Sequence, residues 1–282
     1  MMLVTTKKML NDARDGGYAV GAFNAENAEM VWAIVNAAEE LKAPVIIQTT
    51  SSTLKYFPPA YFAQLAKAAA ESVSVPVAIH LDHGASFELA KACIDSGYTS
   101  IMIDGSALPY EENVRVTQKV RDYADNFGIP VESELGKIGG KEDDTESDED
   151  QYTDPDQAAD FVNRTGISSL AVAIGTAHGI YAKKPVLDFN RTTMIRKVVS
   201  IPLVMHGASG LSDEALREGV EKGMSKINFA TELRIAFTDA IKAHMAEHPN
   251  DFDPKKYMGP ARIAVKELVK AKIRVCGSAG KA

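Results

Sequence analysis

The sequence is poor in cysteine, in basic segments and in long apolar runs, and each shortage excludes a class of protein. The only two cysteines among its 282 residues, Cys93 and Cys276, lie far apart and form no metal-binding spacing, which indicates a reducing compartment. A net charge of −7 without a basic arm argues against nonspecific nucleic-acid binding. No apolar stretch reaches membrane-spanning length, and the N-terminus lacks a signal-peptide pattern. We therefore expect a soluble, cytoplasmic protein with no membrane partner.

Linkers and changes of composition are also missing. No stretch rich in proline, glycine or serine divides the chain, so residues 1–282 are expected to form a single domain. Hydrophobic residues make up 45% and charged residues 24% of the sequence, which is ordinary for a globular protein with a sizeable core. The segment after Pro249 is predicted to be a helical C-terminal extension that packs over the domain or over a neighbouring molecule.

A repeated unit of an apolar run, a polar cluster and a segment of helical period runs along the chain. Eight runs are predicted strands: Tyr18–Phe23, Val45–Gln48, Val77–Leu81, Ser100–Ile103, Val131–Glu134, Leu170–Ile174, Leu203–Met205 and Lys226–Phe229. Predicted helices between them include Asn27–Lys42, Ala60–Ser72, Phe87–Ser96, Tyr110–Phe127, Pro155–Thr165 and Asp213–Lys222. Strands that alternate with helices pair in parallel through right-handed crossovers. Eight such units favour an α/β fold, the closed (β/α)8 TIM barrel, over an open sheet.

Three of the six histidines end apolar, strand-like runs, and each is followed by glycine. They are His83, His178 and His206. Neutral imidazole is the commonest zinc ligand, and a catalytic zinc site usually has three protein ligands and one open position. The glycine lets the backbone approach a ligand closely. The pattern predicts one metal site assembled from three strand ends.

Polar residues also mark the other strand ends. At or just past the predicted strands stand Asn24, Thr50, Asp82, His83, Asp104, Glu134, His178, His206 and Asn228. In a barrel these ends converge on the face where the loops build the active site. Asp82, beside the ligand His83, is the predicted proton carrier. His80 is expected lower in the barrel as a hydrogen-bonded or orienting residue, and His244 and His248 are interpreted as surface or packing residues.

Two carboxylates, Asp104 and Glu134, end neighbouring predicted strands. Facing a metal site, they could orient its histidine ligands or bind a second cation. The alternative interpretation is a capped turn or a salt bridge to a basic side chain.

Small residues with free N–H groups follow the last predicted strands, at Gly175, Gly179, Gly207–Gly210 and Asn228–Thr231. In barrels this region commonly holds phosphate, through a backbone nest or the N-terminus of a short helix. The clusters therefore predict a phosphate-binding site beside the three histidines.

An acidic run at Lys141–Asp150 follows three glycines, at positions 136, 139 and 140. The glycines could hinge a loop that carries Glu142 over the barrel mouth, where a mobile carboxylate suits a general base shielded from water. The alternative is that these acids only solvate a surface loop.

Five ordered motifs, taken together, resemble one family. They are His-Leu-Asp-His-Gly (80–84), Glu-Ser-Glu-Leu-Gly with Gly-Gly-Lys-Glu-Asp-Asp (132–144), Ala-Ile-Gly-Thr-Ala-His-Gly (173–179), His-Gly-Ala-Ser-Gly (206–210) and Lys-Ile-Asn-Phe-Ala-Thr-Glu (226–232). Essentially the whole chain resembles the class II, zinc-dependent ketose-bisphosphate aldolases. It looks more like the tagatose-bisphosphate branch than the fructose-bisphosphate branch.

The resemblance implies reversible cleavage of tagatose or fructose 1,6-bisphosphate to dihydroxyacetone phosphate and glyceraldehyde 3-phosphate. His83, His178 and His206 would hold the catalytic zinc, and Asp104 and Glu134 match positions that take an alternate zinc. Family members often use a monovalent cation, Na⁺ or K⁺, near the phosphate.

The resemblance also implies roles for the remaining site residues. Asp82 would shuttle the proton on the aldehyde-derived oxygen, and Glu142 would abstract the proton from dihydroxyacetone phosphate. The expected substrate-binding residues are Asn24, Thr50, Gly179, Lys183, Gly207, Ala208, Ser209, Asn228, Phe229, Ala230, Thr231 and Lys255.

Lys255 is a departure, because many relatives have Asp-Pro-Arg where this chain has Asp-Pro-Lys. In the family that basic residue reaches a neighbouring subunit's site and holds the second phosphate; lysine keeps the charge but loses the bidentate fork. The family forms homodimers and homotetramers, and some tagatose members need an accessory subunit.

Cleaving a ketose needs a sink for an electron pair, either a lysine Schiff base or a Lewis-acid metal. Lys226 begins the last predicted strand instead of ending it, so zinc is the expected sink. Two alternatives stay open at this point. A metal-dependent hydrolase or isomerase barrel would typically begin with His-x-His on its first strand, which here ends in Asn24. A non-catalytic sugar-phosphate-binding subunit would have no need of Asp82.

Overall fold

The chain folds into a closed barrel of eight parallel strands. The structure, a computed structural model, describes residues 3–142, 145–147, 151–181 and 185–282, with only the backbone described at 141, 142 and 145–147. The strands of these residues are β1 Val20–Asn24, β2 Val45–Thr49, β3 Val77–Gly84, β4 Ser100–Ile103, β5 Val131–Leu135, β6 Gly139–Glu142, β7 Thr145–Ser147, β8 Ser169–Val172, β9 Ala177–His178, β10 Leu203–Met205 and β11 Met224–Phe229. The barrel order is β1-β11-β10-β8-β5-β4-β3-β2, with every neighbouring pair parallel. The (β/α)8 prediction is confirmed.

Helices surround the barrel. They are α1 Thr6–Gly16, α2 Ala28–Leu41, α3 Ser51–Tyr56, α4 Pro59–Glu71, α5 Phe87–Ser96, α6 Tyr110–Asp125, α7 Pro155–Thr165, α8 Phe189–Val198, α9 Asp213–Glu221, α10 Thr231–Glu247 and α11 Pro254–Val275. Capping side chains explain several starts: Asn27, Ser86 and Ser212 each accept a hydrogen bond from the amide three residues on, at α2, α5 and α9.

Three strand boundaries differ from the prediction in ways that affect the site. β3 runs on to Gly84, past its predicted end at Leu81, so Asp82 and His83 lie within the strand. β11 begins at Met224, so Lys226 lies inside the strand, and its placement at the strand's start was wrong. β8 ends at Val172 instead of Ile174, and β6, β7 and β9 form a separate three-stranded sheet. Strands of two to four residues are too short to show an alternating pattern, which is why the sequence indicated only a loop there.

Inward-facing side chains form layers along the barrel axis. At the N-terminal end, Val20, Ile46 and Ala78 pack with Met9 and Leu10 of α1, which closes that end. The layer above is polar and buried: Gln48, His80, Ser100, Glu132, Ser169 and Lys226. The outward faces of the strands pack against the helices in the main hydrophobic core.

The C-terminal helix α11 packs against α2 and α10 on the outside of the barrel. Lys266 and Lys270 place their Nζ atoms 2.6 Å and 2.7 Å from the carboxylate of Glu40 on α2. The Arg262 guanidinium lies 4.2 Å from the ring centroid of Trp32. Among the described residues, we find no helix with the length and apolar character needed to traverse a lipid bilayer.

Candidate metal and substrate site

The structure brings the three predicted histidines together at the C-terminal ends of the strands. His83 lies in β3, His178 in β9 and His206 directly after β10. One ring nitrogen of each lies within 4.8 Å of the others. Nδ1 of His206 is 2.8 Å from Nε2 of His83. Three imidazoles from three separate strands therefore surround one point.

A β-bulge turns two consecutive residues of β3 toward the mouth. Between Leu81 and Gly84 the register with β4 shifts, and Asp82 and His83 occupy the bulge. His83 has a φ of 45°, a left-handed conformation that is rare outside glycine. Strain of this kind concentrates at functional sites, where surrounding contacts hold it in place. Regular alternation would have sent one of the two side chains out of the barrel.

Carboxylates fix the orientation of two of the imidazoles. Asp104 Oδ2 lies 2.7 Å from His83 Nδ1, and Glu132 Oε1 lies 3.1 Å from His206 Nε2. The other two ring nitrogens, His83 Nε2 and His206 Nδ1, face each other at 2.8 Å, so both are placed to bind one cation. Burial lowers the pKa of His206, which keeps it neutral as a ligand must be. The donor set fits zinc.

The two predicted carboxylates both reach this group. Burial would raise the pKa of Asp104, but its hydrogen bonds with His83 and with Ser106 override burial and hold the pKa well below its ordinary value. Glu134 Oε2 lies 3.5 Å from His206 Nδ1. His83, Asp104 and Glu134 form a second set whose donor atoms lie within 4.8 Å of one another, in the position proposed for an alternate cation.

A buried ion pair beneath the histidines was missed by sequence reasoning. Lys226 Nζ lies 2.9 Å and 3.0 Å from the two carboxylate oxygens of Glu132, and both side chains are fully enclosed. Burial acts to raise the pKa of Glu132, but the charge of Lys226 outweighs it and holds that pKa well below its usual range. The alternation of side chains along a strand could have predicted both residues. Glu132 precedes Glu134 by two residues, and Lys226 precedes Asn228 by two, so each pair shares the inner face.

His80 lies in the same buried layer, as the sequence predicted for a residue low in the barrel. Its Nδ1 is 2.7 Å from the hydroxyl of Ser100, and its Nε2 is 3.4 Å from Lys226 Nζ. Burial and the Lys226 charge lower the pKa of His80 well below its ordinary value. His80 is therefore a neutral member of the network that supports the site.

Asp82 is held by two amides. Asn24 Nδ2 donates to Asp82 Oδ2 at 2.9 Å, and Asn228 Nδ2 donates to Oδ1 at 3.0 Å. Gln48 Nε2 in turn donates to Asn24 Oδ1 at 2.9 Å. Asp82 is almost completely buried, and a carboxylate fixed in this way can exchange a proton at one defined position.

A pocket opens beside the histidines where phosphate binding was predicted. It is lined by Asn24, His178, Gly179, Gly207, Ala208, Ser209, Asn228, Ala230, Thr231 and Arg234. The Ser209 hydroxyl accepts a hydrogen bond from the Ala230 amide at 3.1 Å, which joins the two loops. Helix α10 begins at Thr231, so its positive dipole end lies at the pocket.

Arg234 is another residue that the sequence did not single out. It stands three residues into α10 from Thr231, one helical turn along the face that lines the pocket. Its Nη2 lies 2.6 Å from Glu26 Oε1, and the Thr53 hydroxyl donates to Glu26 Oε2 at 2.7 Å. A positive charge therefore stands at the edge of a pocket predicted to bind phosphate.

The remaining predicted substrate-binding residues lie in different settings. Thr50 caps α3, accepting from Thr53 N–H at 3.4 Å. The Phe229 ring is fully buried and stacked on Phe23, so only its backbone can face a ligand. Lys255 has an 88% exposed side chain that pairs with Asp253, and it is not among the pocket-lining residues.

Two other predictions fall at the limits of the described structure. Lys183 lies outside the described residues, and of Glu142 only the backbone is described, in β6. β6 pairs in parallel with β9, which places Gly140 opposite His178. His244 bonds Asp251 at 3.0 Å on the outer helix α10, in keeping with a packing role.

A closed parallel barrel that gathers imidazoles and a buried acid at its strand ends is the arrangement of a TIM-barrel enzyme. The family model described as fructose-bisphosphate aldolase class-II matches residues 4–281. The chain therefore belongs to the class II fructose-bisphosphate aldolase family, and it is an aldolase, a carbon–carbon lyase.

Solved structures agree with this assignment. The YdjI aldolase from Escherichia coli K12 shares 40% identity over 100% of both chains, with a TM-score of 0.88. A putative fructose-1,6-bisphosphate aldolase from Coccidioides immitis shares 30% identity over 97% of this chain and 96% of its own, with a TM-score of 0.88. A fructose-bisphosphate aldolase from Campylobacter jejuni, at 22% identity over 99% and 97% of the two chains, shares the fold with a TM-score of 0.84.

Proposed function

We propose that this protein cleaves a ketose 1,6-bisphosphate, tagatose or fructose 1,6-bisphosphate, reversibly to dihydroxyacetone phosphate and glyceraldehyde 3-phosphate, and that the reaction depends on zinc. The observation that carries the proposal is the convergence of His83, His178 and His206 beside Asp82 and a pocket lined by small residues. These are the parts that an aldol cleavage needs: a site for an electron sink, a proton carrier and a phosphate anchor.

His83, His178 and His206 would hold the zinc ion, with Asp104 and Glu132 keeping two of the rings in the required tautomer. When bound, zinc supplies a Lewis acid that polarises the ketose carbonyl and stabilises negative charge next to it.

Asp82 would act on the C4 hydroxyl. In the cleavage direction its carboxylate accepts the hydroxyl proton as the bond between C3 and C4 breaks and the C4 aldehyde forms. In the condensation direction it returns the proton to the aldehyde-derived oxygen. The amides of Asn24 and Asn228 hold both carboxylate oxygens in place, which leaves few orientations for the transfer.

The substrate's dihydroxyacetone phosphate end would lie in the pocket that begins at α10. Backbone N–H groups of Gly179 and of Gly207–Ser209, together with the helix N-terminus at Thr231, suit an anion. The guanidinium of Arg234, which is paired with Glu26, lines the same pocket. A monovalent cation, Na⁺ or K⁺, is proposed near this phosphate.

Residues 1–282 are proposed to be one barrel domain with α11 as its extension, working in the cytoplasm. The family match over residues 4–281 supports a single unit. Both cysteines are buried thiols, and burial raises the pKa of Cys93 and of Cys276 to about 12, as suits a reducing compartment. A homo-oligomer, dimer or tetramer, is also proposed, in which the exposed Lys255 reaches a neighbouring subunit's site.

Removing the metal should abolish cleavage of whichever sugar the enzyme prefers. The measurement is the release of triose phosphate from each ketose bisphosphate, with and without EDTA. We expect EDTA to stop the release and added zinc to restore it. His178→Ala should lose the metal, because it removes one of three ligands. His244→Ala is the matched control, since that histidine pairs with Asp251 on the outer helix. Equal cleavage before and after EDTA would contradict the proposal.

Glu142→Ala should slow deuterium exchange from solvent into dihydroxyacetone phosphate, because Glu142 is the proposed base for that proton. Loss of a positioned base lowers such a rate by about a hundredfold to ten-thousandfold. Mass spectrometry or proton NMR of the triose phosphate measures the exchange.

Glu146→Ala is the control for Glu142→Ala, because it removes one carboxylate from β7, the strand paired with β6. Exchange at the wild-type rate in Glu142→Ala would return the segment to the alternative of a solvated acidic loop.

A further inference from the structure

The hydroxyl of Tyr181 joins the backbones next to two of the histidines. It accepts a hydrogen bond from the Ala177 amide at 2.9 Å and donates one to the Gly207 carbonyl at 2.7 Å. Ala177 directly precedes His178, and Gly207 directly follows His206. One side-chain oxygen therefore spans the gap between two chain segments that each carry a predicted metal ligand.

These two segments lie beyond the ladder of the barrel. β8 and β10 pair at Leu203 with Leu170 and at Val204 with Ala171. Their continuations carry the histidines past those pairs, where the strands diverge into loops. The position of one imidazole relative to the other consequently depends on contacts between the loops.

The loops approach so closely that only glycine fits. Gly207 has a φ of 63°, and a Cβ atom there would lie 2.6 Å from the Ala177 carbonyl oxygen. The backbones of 177 and 207 are thus in direct contact, with the Tyr181 hydroxyl bonded to both. The backbone contact and the two hydrogen bonds together fix both the distance between these two loops and their relative orientation.

The short strand β9, which contains Ala177 and His178, also pairs with β6, the strand that leads to Glu142. Gly139 pairs with Ala177, and Gly140 with His178. A Cβ atom at Gly140 would lie 2.3 Å from the His178 carbonyl oxygen, so β6 rests directly on the backbone of that histidine. β9 is accordingly the junction between a metal ligand, the strand of the proposed base and the turn at Gly207.

We propose that Tyr181 is a positioning residue whose hydroxyl sets the separation of His178 and His206 and couples the phosphate-binding turn at Gly207 to the strand that carries Glu142. Anion binding at 207–209 would then stabilise β9, and through it β6, in the arrangement that the proton-abstraction step uses. The inference rests on the proposed metal site, and it does not depend on which ketose is the substrate.

Tyr181→Phe tests the first part without sugar. It removes one oxygen and keeps the ring, so the fold should survive. We expect the zinc dissociation constant, measured by competition with a chromophoric chelator, to rise about tenfold to a hundredfold, the usual effect of losing a group that orients a ligand. Hydrogen exchange at the Ala177 amide should accelerate, because its acceptor is gone.

Tyr98→Phe is the matched control. Its hydroxyl is fully buried and bonds Thr49 at 2.7 Å, on the outer side of the barrel wall. The variant should lose comparable stability while keeping zinc affinity and the protection of the Ala177 amide. If Tyr181→Phe bound zinc as tightly as the wild type, or left the exchange at Ala177 unchanged, the positioning role would be wrong.

The coupling has its own readout. At saturating zinc, Tyr181→Phe should still slow deuterium exchange into dihydroxyacetone phosphate, and the KM for that triose phosphate should rise. Exchange at the wild-type rate per bound zinc would overturn the coupling. Zinc affinity and amide exchange can be measured without any sugar. A failure of the proposed ketose reaction can therefore be distinguished from a failure of the positioning role of Tyr181.

Discussion

Asp82→Ala is expected to keep its zinc and lose most of its turnover. Asp82 does not belong to the group of candidate metal ligands formed by the three histidines. Its carboxylate lies in the same bulge as His83 and is buried between two amides. General acid–base groups typically contribute about a hundredfold to ten-thousandfold to a rate, and we expect kcat to fall within that range. The measurement pairs steady-state cleavage with metal analysis of the purified variant.

Asp82→Asn provides the control for structure. Its amide has nearly the shape of the carboxylate but cannot carry the proton. Asn228 Oδ1 has no hydrogen-bond partner within the described residues, so that side chain can rotate to accept from the new amide while Asn24 continues to donate. The variant should fold with near wild-type stability and remain as slow as Asp82→Ala. Zinc loss in either variant, or substantial turnover in Asp82→Asn, would show that the proton-carrier assignment is wrong.

Lys226→Met should cause the largest loss of stability among the changes considered. It leaves the Glu132 carboxylate in the barrel interior without its cation, and breaking a buried pair from one side costs about 3–5 kcal/mol. Glu132 also accepts from His206 Nε2, so protonation of the stranded carboxylate would weaken the hydrogen bond that orients this ring. We expect urea unfolding to show the stability loss and chelator competition to show zinc binding weakened by about tenfold to a hundredfold.

The double variant Glu132→Gln with Lys226→Met separates the two effects. Both charges are gone, and replacing a whole buried pair is often close to neutral for stability. The free energy of unfolding should therefore recover most of the loss seen in Lys226→Met. Zinc affinity should stay weakened, because a neutral amide orients and polarises His206 less than a carboxylate does. Wild-type zinc affinity in the double variant would contradict the assigned role of the pair.

The order of elements followed from the sequence because it rests on local patterns. Eight apolar runs alternating with amphipathic segments fixed the class of fold, and the barrel order observed agrees with parallel crossovers. Short features were not predicted. β9 has two residues and β6 four, and they form through contact with each other instead of through any periodicity of their own.

Histidines 83, 178 and 206 could be predicted from the sequence because each follows or ends a predicted parallel strand. All such ends lie on one face of a barrel, so polar residues after successive strands must approach one another. The inner-face neighbours Glu132 and Lys226 could have been found from the same alternation, since each stands two residues before a predicted site residue. A charged side chain in the middle of a strand nevertheless indicates a functional layer only once the barrel is known to close.

By itself, then, the sequence determined the barrel, the face that bears the site and the three candidate imidazoles, since strand alternation and strand direction are local properties of the chain. Only the tertiary structure decided which atoms meet. The bulge that turns His83 inward, the pairing of Lys226 with Glu132 across the barrel and the bridge from Tyr181 to Gly207 join residues 19 to 94 positions apart. Distances over such separations depend on barrel closure and loop packing, which no local pattern of residues encodes.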